Sequence, residues 1–237
     1  MKRLTLKAMK LKSKMGLLLA IGLTISLSSC LKNNDDYVDQ NFSALAVIHA
    51  SPGLQPFDFV LDKQKINSDA FDYSERLNYF NIYSGNIAFG IFKTQTVDSI
   101  KTGILVAQPN KYYSVYVIGE ASNPEFLTIA DSLTAPKAGM AKVRFLNLSL
   151  NSPALNLSYG AESTLFSNTA YKAHSEFTEI EGGKNYSFTI ENSSGEVKGS
   201  ADNIPLQSGR IYTIWSTGIY NSTSENLKTG IKIQMND

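Results

Sequence analysis

The residue with the plainest chemistry is Cys30, the only cysteine in this chain of 237 residues. Leu27, Ser28 and Ser29 stand directly before it. One aliphatic and two small residues can enter a peptidase cleft, and the thiol behind them is a nucleophile able to take up diacylglycerol. This is a lipobox pattern, with cleavage expected before Cys30 and lipidation on its sulfur. A single cysteine also excludes a disulfide framework.

Other groups able to act are few. The two histidines, His49 and His174, lie far apart in the chain. There is no Gly-x-Ser-x-Gly elbow, no His-Glu-x-x-His and no phosphate loop. Asp35, Asp36 and Asp39 carry oxygens that could hold calcium, but no turn-forming glycine sits at loop spacing. The acidic residues are scattered, and nothing marks a catalytic pair. The expectation is a protein that is not an enzyme, with no catalytic residue, metal or cofactor. His49 is expected to be structural: its ring would brace a strand-to-loop turn by bonding a backbone group, which an asparagine could also do.

The elements that would position these residues begin with a basic stretch, Lys2, Arg3, Lys7, Lys10, Lys12 and Lys14, free of acidic residues. An apolar run of 13 residues follows, 15–27, well short of the roughly 20 that a membrane-crossing helix needs. Residues 1–29 therefore read as a lipoprotein signal peptide. Residues 30–42 read as a lipidated flexible tether, mostly polar with little to bury. Two or more acyl chains at Cys30 would anchor the protein stably to a membrane. Removing the signal leaves 16 basic residues against 21 acidic ones. Without a cluster of Lys and Arg, nucleic acid is not an expected partner.

The rest of the chain is rich in Tyr, Phe, Ile, Val, Thr and Ser, broken by Gly, Pro, Asn and Asp, which is an all-β signature. Phe57, Phe59 and Leu61 alternate with Asp58, Val60 and Asp62, and Leu155, Leu157 and Tyr159 alternate with Asn156, Ser158 and Gly160. These two strands belong to an internal repeat. Leu45 aligns with Val143, Val47 with Phe145, Ser51 with Ser149 and Phe57 with Leu155, and further on Tyr113 to Tyr116 align with Tyr212 to Trp215. A period of this length is a domain rather than a solenoid unit. Two β-sandwich domains are expected, 43–135 and 138–237, each of about seven strands and immunoglobulin-like. Each has a turn and then a tyrosine before a late strand, Tyr113 and Tyr212. This arrangement suits a tyrosine corner.

Residues Val47-Ile48-His49-Ala50-Ser51-Pro52, followed by Phe57-Asp58-Phe59-Val60-Leu61-Asp62, resemble the opening of the domain of unknown function family 4397. The stretch from Ala138 to Asn147 resembles the start of a second, degraded copy, with Asn147-Leu148-Ser149-Leu150 in place of His-Ala-Ser-Pro. The resemblance implies immunoglobulin-like sandwiches in secreted or surface-anchored bacterial proteins, some of them described as adhesins, and brings no catalytic residues. The acids behind Cys30 resemble the surface-export signal of Bacteroidetes lipoproteins, and they suit a plain solvated linker equally well. The expected location is the outer membrane, held by lipid at Cys30 and facing the cell surface.

Two functions stay open. One is a non-enzymatic adhesion or assembly module that contacts other envelope proteins. The other is a glycan-binding accessory protein of a surface uptake system, suggested by Trp215, Tyr220, Tyr73, Tyr79 and Tyr83. A flat cluster of exposed aromatics would favour sugar, and its absence would favour protein contacts.

Overall fold

The computed structural model describes residues 41–160 and 163–236. The lipobox residues Leu27, Ser28, Ser29 and Cys30, and the tether acids Asp35, Asp36 and Asp39, lie outside the described residues. Asn41–Asp237 forms one compact unit.

The strands in the first half are β1 (Phe42–His49), β2 (Phe57–Leu61), β3 (Gln64–Lys65), β4 (Arg76–Tyr83), β5 (Gly85–Lys93), β6 (Ser99–Ala107), β7 (Tyr112–Glu120) and β8 (Asn123–Asp131). Those in the second half are β9 (Met140–Asn147), β10 (Leu155–Tyr159), β11 (Ser163–Thr169), β12 (Thr178–Glu181), β13 (Lys184–Glu191), β14 (Val197–Leu206), β15 (Ile211–Thr217) and β16 (Gly230–Met235). The one helical element among the described residues is a 3-10 turn, Glu225–Leu227.

Four sheets result, ordered β4-β1-β7-β8, β3-β2-β5-β6, β12-β9-β15-β16 and β11-β10-β13-β14. The last two repeat the topology of the first two. Even the unusual pairing recurs: β1 runs parallel to β7 with Leu45 opposite Tyr113, and β9 runs parallel to β15 with Val143 opposite Tyr212. The fold is all-β, two tandem immunoglobulin-like sandwiches. Each holds eight strands rather than seven, and in the first the short β3 beside β2 is the addition.

Alternation along each strand decides what is buried where. In the first sandwich Leu45, Val47, Phe57, Phe59, Ile91, Val115 and Val117 share one core. In the second, Val143, Phe145, Leu155, Leu157, Phe188, Ile190 and Ile214 share another. The odd and even positions of the inner strands point opposite ways, and here both directions are buried. Ala46 and Ile48 of β1, Tyr116 and Ile118 of β7, Leu146 of β9 and Trp215 of β15 meet in a third core, drawn from both sandwiches.

Polar ties run through that junction. Asp131 at the end of β8 pairs with Arg144 of β9 at 2.6 Å, both side chains buried. Tyr79 and Ser114 donate hydroxyl protons to the same carboxylate, each at 2.7 Å, and Arg144 Nε donates to Thr213 at 2.9 Å. The Tyr79 phenol is pushed well above its ordinary pKa by burial and by the neighbouring Asp131 charge, so it stays a donor. At the rim, Tyr73 accepts from the Gly218 N–H, Gln234 donates to Tyr116, and Lys172 pairs with Glu125.

Candidate functional site

His49 sits at the end of β1 with no exposed surface. Its ring lies 4.6 Å from that of Phe57, 5.7 Å from Tyr73 edge-on and 6.2 Å from Phe71. Apart from a loose contact with the Leu54 backbone, neither ring nitrogen has a hydrogen-bond partner among the described residues. Ser51 donates to the Gly119 carbonyl at 2.8 Å, and His174 is exposed in the other sandwich. No base, nucleophile and acid converge on His49.

The turn-bracing role expected of His49 belongs to Asn147. Its amide donates to the carbonyls of Pro153 and Thr169, and its oxygen accepts from Ser152 and Ser216. The positions matching Ser152 and Ser216 in the first repeat are Leu54 and Val117, which have no side-chain donor. The two positions are therefore not exchangeable. His49→Asn is expected to cost about 1–3 kcal/mol through a stranded amide, more than the better-packed His49→Leu.

Burial pushes the His49 pKa down to about 4, against a smaller opposing pull from the Leu54 backbone. Above pH 6.5 the ring is neutral in both folded and unfolded chains. Below it, the unfolded chain takes up a proton that the folded one refuses, so stability is lost as pH falls through this window. The loss should approach about 1.4 kcal/mol per pH unit until the folded pKa is reached. Urea denaturation at pH 7 and pH 5 should show this slope in the native protein relative to His49→Leu. Equal slopes would mean that His49 titrates normally.

The tyrosine corners are both present: the Gln108 N–H donates to the Tyr113 hydroxyl at 3.0 Å, and the Gln207 N–H to Tyr212 at 2.9 Å. The other aromatics suggested for sugar stacking are mostly occupied. Trp215 lies in the shared core at 1 % exposure, Tyr79 bonds Asp131, Tyr73 bonds Gly218, and Tyr220 bonds Asn192 under the Lys198 ammonium. Only Tyr83 of the five is open to solvent, and it leans on Phe42 at 4.9 Å.

Sequence reasoning missed a different surface, the outer face of β3-β2-β5-β6. Val60, Ala88, Gly90, Phe92, Thr102, Ile104 and Val106 alternate with the core residues of their strands and point outward. Ile104 and Val106 are 71 % and 67 % exposed. A side chain at Gly90 would collide with the Lys101 carbonyl and crowd the Phe92 ring. Its absence lets Phe92 lie across the strand and floor a shallow depression of about 500 Å³ with Val60, Ala88 and Ile104.

The second sandwich supplies an internal control. In matching registers Val60 is answered by Ser158, Ala88 by Ser187, Gly90 by Thr189, Phe92 by Glu191 and Val106 by Pro205, while Ile104 meets the irregular pair Asp202 and Asn203. The same fold thus stands with a mostly polar face in that place, so the apolar face of the first sandwich is no requirement of folding. The signal was legible in the repeat, by comparing its copies at outward positions only.

The fold and this face define a tandem-repeat β-sandwich body with an exposed apolar surface on one outer sheet. Residues 43–158 match the model of the family described as Domain of unknown function (DUF4397). The match covers the first sandwich and the opening two strands of the second. No curated protein sequence matches significantly.

Among solved structures the chain is similar to the Bacillus anthracis TIE protein, at 9 % identity and a TM-score of 0.25 over 75 % of this chain, and it spans 34 % of that protein's length. It is also similar to a family 26 carbohydrate-binding module from Eubacterium rectale Amy13K in complex with maltoheptaose, at 11 % identity and TM-score 0.26, over 81 % of this chain and 95 % of that one. A third is a candidate cell adhesion protein of Parabacteroides distasonis, at 8 % identity and TM-score 0.21, over 82 % and 99 %.

Proposed function

We propose that this chain is a lipid-anchored envelope protein, displayed at the outer membrane, that acts as a non-enzymatic adhesion or assembly module through protein contacts. The observation that carries the contact role is the apolar outer face of the first sandwich, at positions where the second sandwich is polar. Exposed apolar surface that folding does not demand marks a place for a partner to cover. The glycan reading loses its motive, because four of the five aromatics that suggested it are engaged within the body. The anchor rests on the lipobox Leu27-Ser28-Ser29-Cys30.

Cells that display the chain should adhere to one another or to protein-coated surfaces, and Ile104→Lys should abolish most of that adhesion without lowering display or thermal stability. Competition by soluble oligosaccharides, or adhesion untouched by Ile104→Lys, would overturn the reading. The anchor has its own test: Cys30→Ala should lose incorporation of radiolabelled fatty acid, and a variant that stays labelled refutes lipidation at that residue.

A further inference from the structure

The matching edge strands of the two sandwiches are built differently. β14 closes its sheet with Pro205 and with a break in register against β13 between Tyr186 and Phe188. Asn203 within that break has φ +57. Proline, an irregular register and a charged residue, Asp202, are the devices that stop a sheet edge from recruiting another strand. β6 has no proline and no break in register between Lys101 and Ala107, and its one charge, Lys101, stands at the end of that stretch: it pairs with β5 without interruption, from Ile91 opposite Lys101 to Gly85 opposite Ala107.

Pro205 also shows which way the main chain of β6 points. It faces Asn185, as Val106 faces Asn86. Proline has no N–H, so a residue at this position donates nothing to the inner strand. In an antiparallel ladder such positions alternate with bonded ones. Thr102, Ile104 and Val106 therefore turn their N–H and C=O groups to the free edge, and their side chains are the exposed ones.

We propose that two copies of this chain associate by antiparallel pairing of β6 with β6, centred on Ile104. In that register Ile104 lies opposite its own copy, Val106 opposite Thr102, and Ala107 opposite Lys101. Lys101 is the only charge on the strand, and it meets an alanine, so no like charges oppose each other. The outward main-chain groups at Thr102, Ile104 and Val106 meet the same groups of the second copy, as a two-fold axis requires. The apolar faces of the two first sandwiches then join into one. The paired stretch, 101–107 of each copy, lies within β6 and is about 24 Å long and one strand wide, which covers less than the roughly 800 Å² per partner of a stable complex. The association is accordingly reversible. This inference rests on the protein-contact reading above and names the partner as the chain itself.

Sedimentation of the compact unit Asn41–Asp237 over a range of concentrations tests it. The apparent mass should climb toward twice that of one chain at high concentration. Val106→Pro, which copies Pro205 into the first sandwich, should remain at the mass of one chain with unchanged thermal unfolding. Ile104→Lys, placed on an exposed position, should do the same should the proline disturb the fold. A single-chain mass at every concentration, or a Val106→Pro variant that is folded and still doubles in mass, overturns the seam. Adhesion lost in Ile104→Lys while the native body stays a single chain would refute the seam and leave the protein-contact reading standing.

Discussion

Replacing Asp131 with alanine is expected to destabilise the body by about 3–5 kcal/mol, because it leaves the Arg144 guanidinium buried without a counter-charge. The pair is held at 2.6 Å with side-chain exposures of 0 % and 2 %, so water cannot take over from the carboxylate. Tyr79 and Ser114 lose their acceptor in the same step. What remains for Arg144 is Thr213, the Tyr116 hydroxyl and the face of Phe177, 4.7 Å away, and none of them carries charge. The double variant Asp131→Ala with Arg144→Met should recover most of the loss, since an apolar side chain suits the site once the charge is gone. Urea denaturation of the two variants measures this. A single variant within about 1 kcal/mol of the native protein would show that the pair is solvated.

Trp215→Ala is expected to cost a similar amount, about 3–5 kcal/mol, the range for emptying a large aromatic from a core. Trp215 is among the largest fully buried side chains and stands in the shared core with Ile48, Tyr116 and Leu146. The cavity would open between the sandwiches rather than inside either one, so the effect should fall on their coupling. Calorimetry of the native body should give one cooperative transition, and the variant should broaden or divide it. A uniform shift of a single sharp transition would mean that Trp215 serves only its own sandwich. The chain has no other tryptophan, so calorimetry and tyrosine circular dichroism are the useful readouts.

Much of this architecture was legible in the residues. The internal repeat exposed the equivalence of β1 with β9 and of β2 with β10, and the two tyrosine corners appear where a turn precedes Tyr113 and Tyr212. The face-to-face union of the sandwiches was less legible, although its signal was present. β1 carries Leu45, Ala46, Val47 and Ile48 in unbroken succession, and β7 runs apolar from Val115 to Ile118. A strand with one wet face alternates, while a run without polar breaks is covered on both sides. Period-two strands such as β2 mark the core inside each sandwich, and the continuous runs mark the further face that the two sandwiches cover between them. The ion pair was hidden for another reason: Asp131 and Arg144 are ordinary surface residues until tertiary packing buries them. His49 misled because a position shared with Asn147 suggested a shared role. Their neighbours, Leu54 against Ser152 and Val117 against Ser216, determine what each side chain can do.

The parallel pairing of β1 and β7 also bears on how the body carries load. Tension applied at the Asn41 end enters along β1, which is flanked on one side by β7 and on the other by β4. A pull along the axis of a strand held from both sides strains its cross-bonds together, in shear, whereas a hairpin pulled from its open end parts one bond at a time. The residues opposite β1 run from Tyr112 to Val117 on one side and from Arg76 to Tyr83 on the other, nearly its whole length. Since rupture under force follows the rate of unfolding rather than its equilibrium, the strand next to the proposed tether is the one best placed to act as a mechanical clamp.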